Sequence, residues 1–252
     1  MMEIDTAIDY LLAVNNLKEV PIENKHDKLR ALMNVTMPIN LSEKYYLAQD
    51  KVLQKNLESK KIIDADKIEF SFNIAIYLGD ITLIKADAIV NACNEKLLGC
   101  FYPLHSCVDN TIHSAAGLQV RRDLISIMKN KKTEPNGECE VTKGYNLPSK
   151  YIFHTVGPRV IGIITKQDII DLKNCYLSCL TKAVDMKLNS HAFPCIATGI
   201  YNFPSSLASK IAYETVRKFL KENNTGLKVI FDTYSKKDYL LYKEKEKEYH
   251  DN

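Results

Sequence analysis

Two thiols and one imidazole lie within eight residues near the middle of the chain. Cys100, His105 and Cys107 stand in a loop that contains Gly99 and Pro103, immediately before a predicted helix. Thiolate and imidazole together suit zinc, and a structural zinc site normally has four protein ligands. Because this loop supplies three, one position stays open for water or substrate unless a fourth ligand folds in. The alternative is that the cysteines are ordinary buried residues and that His105 caps the helix.

A second segment, residues 198–205 (TGIYNFPS), joins a predicted strand to a predicted helix. The backbone N–H groups of such a turn, with a helix N-terminus behind them, form an anion site. Pro204 suits the first turn of that helix. The alternative is a tight turn that binds no ligand, because strand-to-helix turns with glycine are common.

Polar side chains also stand near the ends of two predicted strands. The Asp80 carboxylate is placed to cap a helical turn or to accept hydrogen bonds from a base. Asn91 and Asn94 follow an apolar run, at the carboxyl end of a strand, where open α/β sheets bind their ligands. Two amides there suit sugar hydroxyls, but they also suit turn backbone. His113 is predicted to be packed or capping, and His154 to be a hydrogen-bonded core residue.

The elements that must position these residues alternate in type from residue 69 onward. Strands are predicted at residues 70–76, 88–91, 139–143, 151–156, 192–196 and 228–232. Helices are predicted at residues 109–129, 168–187 and 205–221. Strands and helices of this length in alternation predict an α/β fold, a sheet covered by helices on both faces.

The first 68 residues are predicted to be helical, with helices near residues 4–12, 27–33 and 43–57. Ser42 is the expected N-cap of the third. At the other end, residues 243–252 are charged with alternating sign, which indicates a solvated helix end or a loose tail. The chain is therefore divided into a helical N-terminal extension (1–68), an α/β domain (69–243) and a charged C-terminal tail (244–252).

Composition limits the classes of function. The 252 residues include 34 basic and 31 acidic side chains, and this near-balance supports neither a nucleic-acid nor a membrane role. No apolar run approaches the roughly 20 residues of a spanning helix. The first residues are acidic where a secretory signal is basic, so a cytoplasmic location is expected. The seven cysteines are then expected to be thiols.

Six segments, taken in order, resemble the macrodomain family: GDIT (79–82), DAIVNACN (87–94), VDNTIHSAAG (108–117), GYNLP (144–148), HTVGP (154–158) and TGIYNFP (198–204). The resemblance implies a three-layer α/β/α macrodomain with a mixed central sheet. Where many macrodomains have a glycine-rich run, this chain has the loop from Cys100 to Cys107. With the helical extension, this loop is similar to that of the zinc-dependent subfamily, in which the Cys, His and Cys bind Zn²⁺ beside the distal ribose.

The resemblance also implies how each part of ADP-ribose binds. Asp80 should contact the adenine amino group, helped by the Ile81 backbone, and Tyr234 is a candidate for stacking on adenine. The diphosphate should lie against the backbone N–H groups of one loop, which comprises Thr198, Gly199, Ile200, Tyr201, Asn202 and Phe203.

At the distal ribose, the resemblance implies contacts from Asn91 and Asn94, with Asp109 at the family's acidic position. Asn94 would orient the sugar, and Asp109 would orient water or a ribose hydroxyl. Zinc would fix the sugar or lower the pKa of water to roughly 7. Cys93 is a nearby thiol that leaves the identity of a fourth ligand open.

The implied function is a zinc-dependent hydrolase that removes mono-ADP-ribose from modified protein side chains. The alternatives are a non-catalytic ADP-ribose reader with structural zinc, and an O-acetyl-ADP-ribose deacetylase. The resemblance also suggests two partners, a sirtuin-type ADP-ribosyltransferase and its carrier-protein substrate.

Overall fold

Three helices open the chain in the computed structural model, which describes residues 2–250: α1 (Met2–Val14), α2 (Lys25–Val35) and α3 (Glu43–Glu58). The predicted cap is confirmed, because the Ser42 side chain accepts a hydrogen bond from the Tyr45 N–H. The three helices share one apolar cluster, which Leu118 of the following domain joins. The extension therefore packs on the rest of the molecule through a common core.

A six-stranded mixed sheet forms the centre of the fold, in the order β2-β8-β7-β4-β6-β5. Its strands are β2 (Ile74–Leu78), β4 (Ala88–Cys93), β5 (Cys139–Lys143), β6 (Tyr151–Val156), β7 (Ser190–Phe193) and β8 (Lys228–Thr233). Every neighbouring pair is parallel except β5 with β6. A separate short pair joins β1 (Ile63–Asp64) to β3 (Ile84–Lys85).

Helices cover both faces of the sheet, as predicted: α4 (Val108–Ala116), α5 (Leu118–Ile127), α6 (Lys166–Asp185), α7 (Ser205–Asn223) and α8 (Lys236–His250). Successive strand residues point to opposite faces. In β4, Ile89 accordingly packs in the cluster with α4 and α5, and Val90 packs in the cluster with α6 and α7. The result is the expected three-layer α/β/α arrangement.

Several predicted element bounds are wrong. The single helix at 109–129 is two helices broken at Gly117, whose φ of 100° suits glycine. The strand at 70–76 begins only at Ile74, because Phe72 and Asn73 both have positive φ. The strand at 192–196 is shifted towards the N-terminus, to Ser190–Phe193.

The C-terminal charged residues belong to α8 and not to a loose tail. Tyr249 stacks on Tyr213 with ring centroids 5.5 Å apart, so this helix end is packed on α7. The proposed boundary at residue 243 falls within α8, and residues 251–252 of the predicted tail lie outside the described residues. Within residues 2–250, no helix has the length and apolar character needed to cross a membrane.

Candidate functional site

The carboxyl ends of β2, β4, β7 and β8 open onto a cavity of about 880 Å³, at the edge where α/β sheets bind ligands. The predicted site residues that line it are Asp80, Ile81, Asn94, Cys100, His105, Cys107, Asp109, Thr198, Gly199, Ile200, Tyr201 and Tyr234. Asn91, Asn202 and Phe203 are not part of its wall. Segments far apart in sequence therefore meet around one cavity.

The Cys-His-Cys loop brings its ligand atoms together. One donor atom each from Cys100, His105 and Cys107 lies within 4.8 Å of the others, and Cys100 Sγ is 3.7 Å from His105 Nδ1. Burial raises the pKa of the Cys107 thiol to about 12, so a bound cation is what would stabilise its thiolate. Two half-buried thiols and an imidazole at this spacing fit Zn²⁺.

Cys93 lies outside the metal group, which comprises the candidate ligands Cys100, His105 and Cys107. Its buried Sγ donates to the backbone oxygen of Thr155 at 3.3 Å. In residues 2–250, the group of candidate ligands has three members. Within the described residues, the candidate ligands are therefore Cys100, His105 and Cys107.

Side chains of helix α2, in the N-terminal extension, form hydrogen bonds with this loop. The Arg30 guanidinium donates to the His105 backbone oxygen at 2.9 Å and to Asn110 Oδ1 at 2.8 Å. Asn34 Oδ1 accepts a hydrogen bond from the Leu104 N–H at 3.0 Å. The partners are 70 to 80 residues apart in sequence, and neither Arg30 nor Asn34 could be recognised as a site residue before the fold was known.

Arg121 of α5 joins the start of the loop to the end of α2. Its guanidinium donates to the backbone oxygens of Leu98, Met33 and Thr36, at 2.7, 3.0 and 2.5 Å. It also lies over the Phe101 ring, 4.3 Å from the centroid. Burial lowers the pKa of Arg121 to about 10, which leaves the guanidinium charged at neutral pH.

Asp109 is buried at the cavity wall beside the metal group, and burial raises its pKa to about 6. Its Oδ1 accepts a hydrogen bond from Asn91 Nδ2 at 2.8 Å. Asn91 Nδ2 also lies 3.2 Å from His154 Nδ1, and His154 Nε2 lies 2.9 Å from Thr142 Oγ1. Burial lowers the pKa of His154 to about 3, so the ring is neutral, as expected of a hydrogen-bonded core histidine.

The expected contact of Asn91 with the distal ribose stays a prediction, because Asn91 is buried and does not line the cavity in this structure. The side chain is fully buried, donates to Asp109 and is not part of the cavity wall. Asn91 therefore orients the carboxylate that faces the cavity.

His113 is a packed residue, as predicted. Its Nε2 lies 3.5 Å from Asp109 Oδ1, but burial lowers the pKa of His113 well below 6.5, so the contact is not an ion pair. The ring also packs against Gly99, where an added Cβ would lie 2.9 Å from His113 Nδ1. With a φ of 86°, Gly99 is required at the start of the metal loop.

Asn94 lines the cavity and also supports the adjacent turn. Its Oδ1 accepts from the Lys96 N–H at 3.0 Å, and its Nδ2 donates to the Gly99 oxygen at 3.2 Å. The side chain thus makes the turn contacts that the sequence left as an alternative to sugar binding.

Only part of the predicted diphosphate loop faces the cavity. The Asn202 N–H donates to the Gly199 oxygen and the Phe203 N–H to the Ala197 oxygen, each at 3.0 Å. Phe203 is also a buried core residue. These two amides already have backbone partners, so their contact with phosphate stays a prediction, and residues 198–201, just ahead of α7, are the part of the loop that lines the cavity.

The opposite end of the cavity is acidic. Asp80 Oδ1 accepts hydrogen bonds from the N–H and the hydroxyl of Thr82, at 2.9 and 2.6 Å, and thereby caps a short turn as predicted. Asp232 at the end of β8 is buried, and its Oδ1 has no hydrogen-bond partner. Burial, followed by repulsion from Asp80, raises the pKa of Asp232 to about 7. Tyr234 is exposed at the rim.

Comparison with known proteins decides the family. Residues 90–212 match the Macro domain family model. A Protein-ADP-ribose hydrolase of Staphylococcus aureus is 42% identical over 226 residues, which cover 88% of this chain and 85% of the relative. The chain belongs to the macrodomain family. A Protein-ADP-ribose hydrolase of Treponema medium is 40% identical over 246 residues, which cover 93% of this macrodomain and 94% of the relative.

Solved structures agree with this assignment. A mutant macrodomain of Oceanobacillus iheyensis with ADPR has a TM-score of 0.65 and 38% identity, and it covers 70% of this chain and 93% of its own. The Trypanosoma brucei macrodomain in complex with ADP has a TM-score of 0.65 and 28% identity, covering 88% of this chain and 96% of its own.

Proposed function

We propose that this macrodomain is a zinc-dependent hydrolase that releases mono-ADP-ribose from modified protein side chains. The observation that carries the proposal is the convergence of the Cys100, His105 and Cys107 donor atoms within 4.8 Å at the wall of the cavity that Asp109 also lines. Relatives named Protein-ADP-ribose hydrolase, at 42% and 40% identity, support the same activity.

The charges of the cavity wall support one orientation of the nucleotide. Asp80, Asp232 and Asp238 line one end, whereas Arg30 and Lys96 lie with the metal group and Asn94 at the other. Carboxylates repel phosphates and accept hydrogen bonds from an exocyclic amino group. The base therefore binds at the acidic end, with Tyr234 stacked on it, and the distal ribose binds beside the metal group.

Between these ends, the N–H groups of residues 198–201 and the N-terminus of α7 hold the diphosphate. This binding energy acts at a distance from the bond that breaks and holds the distal ribose in a reactive position. Asn94 lines the same wall; one of the two N–H donors of its amide binds the Gly99 oxygen, and the other orients the sugar.

Hydrolysis breaks the bond between the distal ribose C1″ and the protein side chain, and water supplies the replacing oxygen. Asp109, held by Asn91 at 2.8 Å, orients this water or a ribose hydroxyl with its second carboxylate oxygen. A zinc ion held by Cys100, His105 and Cys107 supplies Lewis-acid chemistry at this end of the cavity.

The test compares two cysteine variants of the full chain. Cys100→Ala should lose zinc and at least about a hundredfold of the turnover while keeping ADP-ribose affinity, because the metal acts at the sugar end only. Cys195→Ala is the matched control, since Cys195 is also a half-buried cavity thiol but lies outside the metal group. Zinc is measured by elemental analysis, and turnover by ADP-ribose released from a mono-ADP-ribosylated protein.

Turnover by a zinc-free Cys100→Ala protein at the wild-type rate would rule out zinc dependence. A wild-type protein that holds zinc and ADP-ribose but releases none would be a reader with structural zinc. The sirtuin-type transferase, its carrier protein and the cytoplasmic location stay predictions from the sequence.

A further inference from the structure

Asp232 is a buried acid on the wall of the cavity. It lies one residue before the end of β8, opposite Tyr77 of β2, and forms part of the cavity wall at the acidic end. The residue is 5% exposed, and its Oδ1 is buried without a hydrogen-bond partner. Buried polar atoms are normally paired, so an orphaned carboxyl oxygen on a cavity wall marks a place for a ligand atom.

The groups around Asp232 offer it no positive charge. Asp80 follows β2, and Tyr77 within β2 has a pKa raised by burial, by Asp232 and by Asp80. Cys195 follows β7, with its Sγ 4.0 Å from the Asp232 backbone oxygen, and Asp238 lies on α8. The two cations of the cavity wall belong to the opposite end. Burial and the neighbouring carboxylate together favour the neutral acid.

The two carboxyl groups at this end are not equivalent. Asp80 is committed as an acceptor, since Thr82 donates to it twice, and an ionised carboxylate offers acceptors only. A protonated Asp232 offers one O–H donor beside an acceptor oxygen. At the same end of the cavity wall, the two acids thus offer an acceptor and a donor to a bound group.

We propose that Asp232, as a carboxylic acid, donates a hydrogen bond to a ring nitrogen of the base while Asp80 accepts one from the exocyclic amino group. This assignment rests on the proposed function, which orients the base towards the acidic end. A 6-aminopurine has an amino donor beside a ring-nitrogen acceptor, and hypoxanthine has the reverse, a carbonyl acceptor beside an N–H donor. The pair of acids therefore selects adenine.

A dependence on pH follows from the proton on Asp232. In the free protein its pKa is raised to about 7, and a nucleotide that needs the proton raises it further. The affinity for the nucleotide is therefore highest at pH values well below 7, and it falls as the pH rises through 7 and Asp232 loses its proton. From pH 6 to pH 8 the ADP-ribose affinity should fall about tenfold.

The experiment is calorimetric titration of ADP-ribose into the full chain at pH 6 and pH 8. ADP-ribose is the probe because neither of its phosphates titrates in this range. The wild-type protein should bind about tenfold more weakly at pH 8. Asp232→Asn, whose amide N–H donates at any pH, should bind with the same affinity at both. The control Asp66→Asn, which changes an exposed carboxylate outside the cavity wall, should keep the wild-type dependence.

Equal wild-type affinity at the two pH values would overturn the inference, and so would an unchanged dependence in Asp232→Asn. A second titration at pH 6 uses inosine diphosphate ribose, which wild type should bind at least about tenfold more weakly than ADP-ribose, because both hydrogen bonds are mismatched. Equal affinity for the two nucleotides would refute base selection.

These measurements are independent of hydrolysis and can be repeated with Cys100→Ala. Loss of the pH effect with intact release of ADP-ribose would reject the role of Asp232 alone. Failure to release ADP-ribose, with the pH effect present, would reject the hydrolase alone. Binding of neither nucleotide would overturn both.

Discussion

The two ends of the cavity are supported in different ways. At the acidic end, Asp80 and Asp232 lie at the ends of β2 and β8, and the backbone pairing of these neighbouring strands sets their positions. At the metal end, Cys100, His105 and Cys107 lie on an irregular loop outside the sheet. Long-range side-chain hydrogen bonds from the helical extension hold that loop.

The two ends of the site in this macrodomain are therefore supported by different parts of the fold. The pairing of β2 with β8 positions the end of the cavity that is proposed to bind the base. The N-terminal extension positions the end at which hydrolysis is proposed to occur. Substitutions in α2 should therefore damage metal binding and leave the acidic end intact, whereas substitutions at the rim of the acidic end should do the reverse.

The larger effect is expected for Arg30→Ala, which removes hydrogen bonds to the His105 backbone and to Asn110. Loss of a group that orients a metal ligand should lower zinc affinity by about 10- to 100-fold. The affinity for ADP-ribose should change little by comparison. Zinc affinity is measured by competition with a chromophoric chelator, and nucleotide affinity by calorimetry.

Lys25→Ala is the matched control, since Lys25 lies on the same helix and, within the described residues, its ion pair is with Asp5 at the surface. A surface ion pair contributes about 0–1 kcal/mol, so this variant should keep its zinc. If Arg30→Ala binds zinc as tightly as the control, the extension does not support the metal loop.

A smaller effect is expected for Tyr234→Ala at the opposite end. Stacking of a base on an aromatic ring is worth about 1–3 kcal/mol, so ADP-ribose affinity should fall by about tenfold. Because Tyr234 is exposed at the rim, stability and zinc content should be unchanged. Unchanged ADP-ribose affinity would show that the base does not stack there, and the orientation of the nucleotide would have to be revised.

The metal group could be predicted from the sequence because the side chains of eight consecutive residues necessarily lie near one another. The layers could be predicted as well, since alternating strands and helices permit few arrangements. The burial of Asn91 could not be predicted, because β4 carries it on the face of Ile89, where its Nδ2 donates to Asp109, and the depth of that position depends on how α4 packs. The type of a residue and its position in the chain do not specify how deeply its side chain is buried.

Arg30 and Asp232 were missed for a related reason. Arg30 occurs in an ordinary amphipathic helix, and only the packing of α2 on α4 brings it to a loop 75 residues away. Asp232 follows an apolar run, and its missing partner is a property of the folded cavity. In the sequence, Asp232 is visible only as one carboxylate at the end of an apolar strand. Its role can be inferred only when the residues that face it across the cavity are known.

The most direct test of the account removes the metal without changing the chain. A chelator is used to strip zinc from the wild-type protein, and turnover and ADP-ribose affinity are measured before stripping, after it and after one equivalent of zinc is returned. The account predicts that turnover disappears with the metal and returns with it, while the nucleotide still binds the metal-free protein. Release of ADP-ribose by metal-free protein at the rate of the zinc-loaded protein would contradict it.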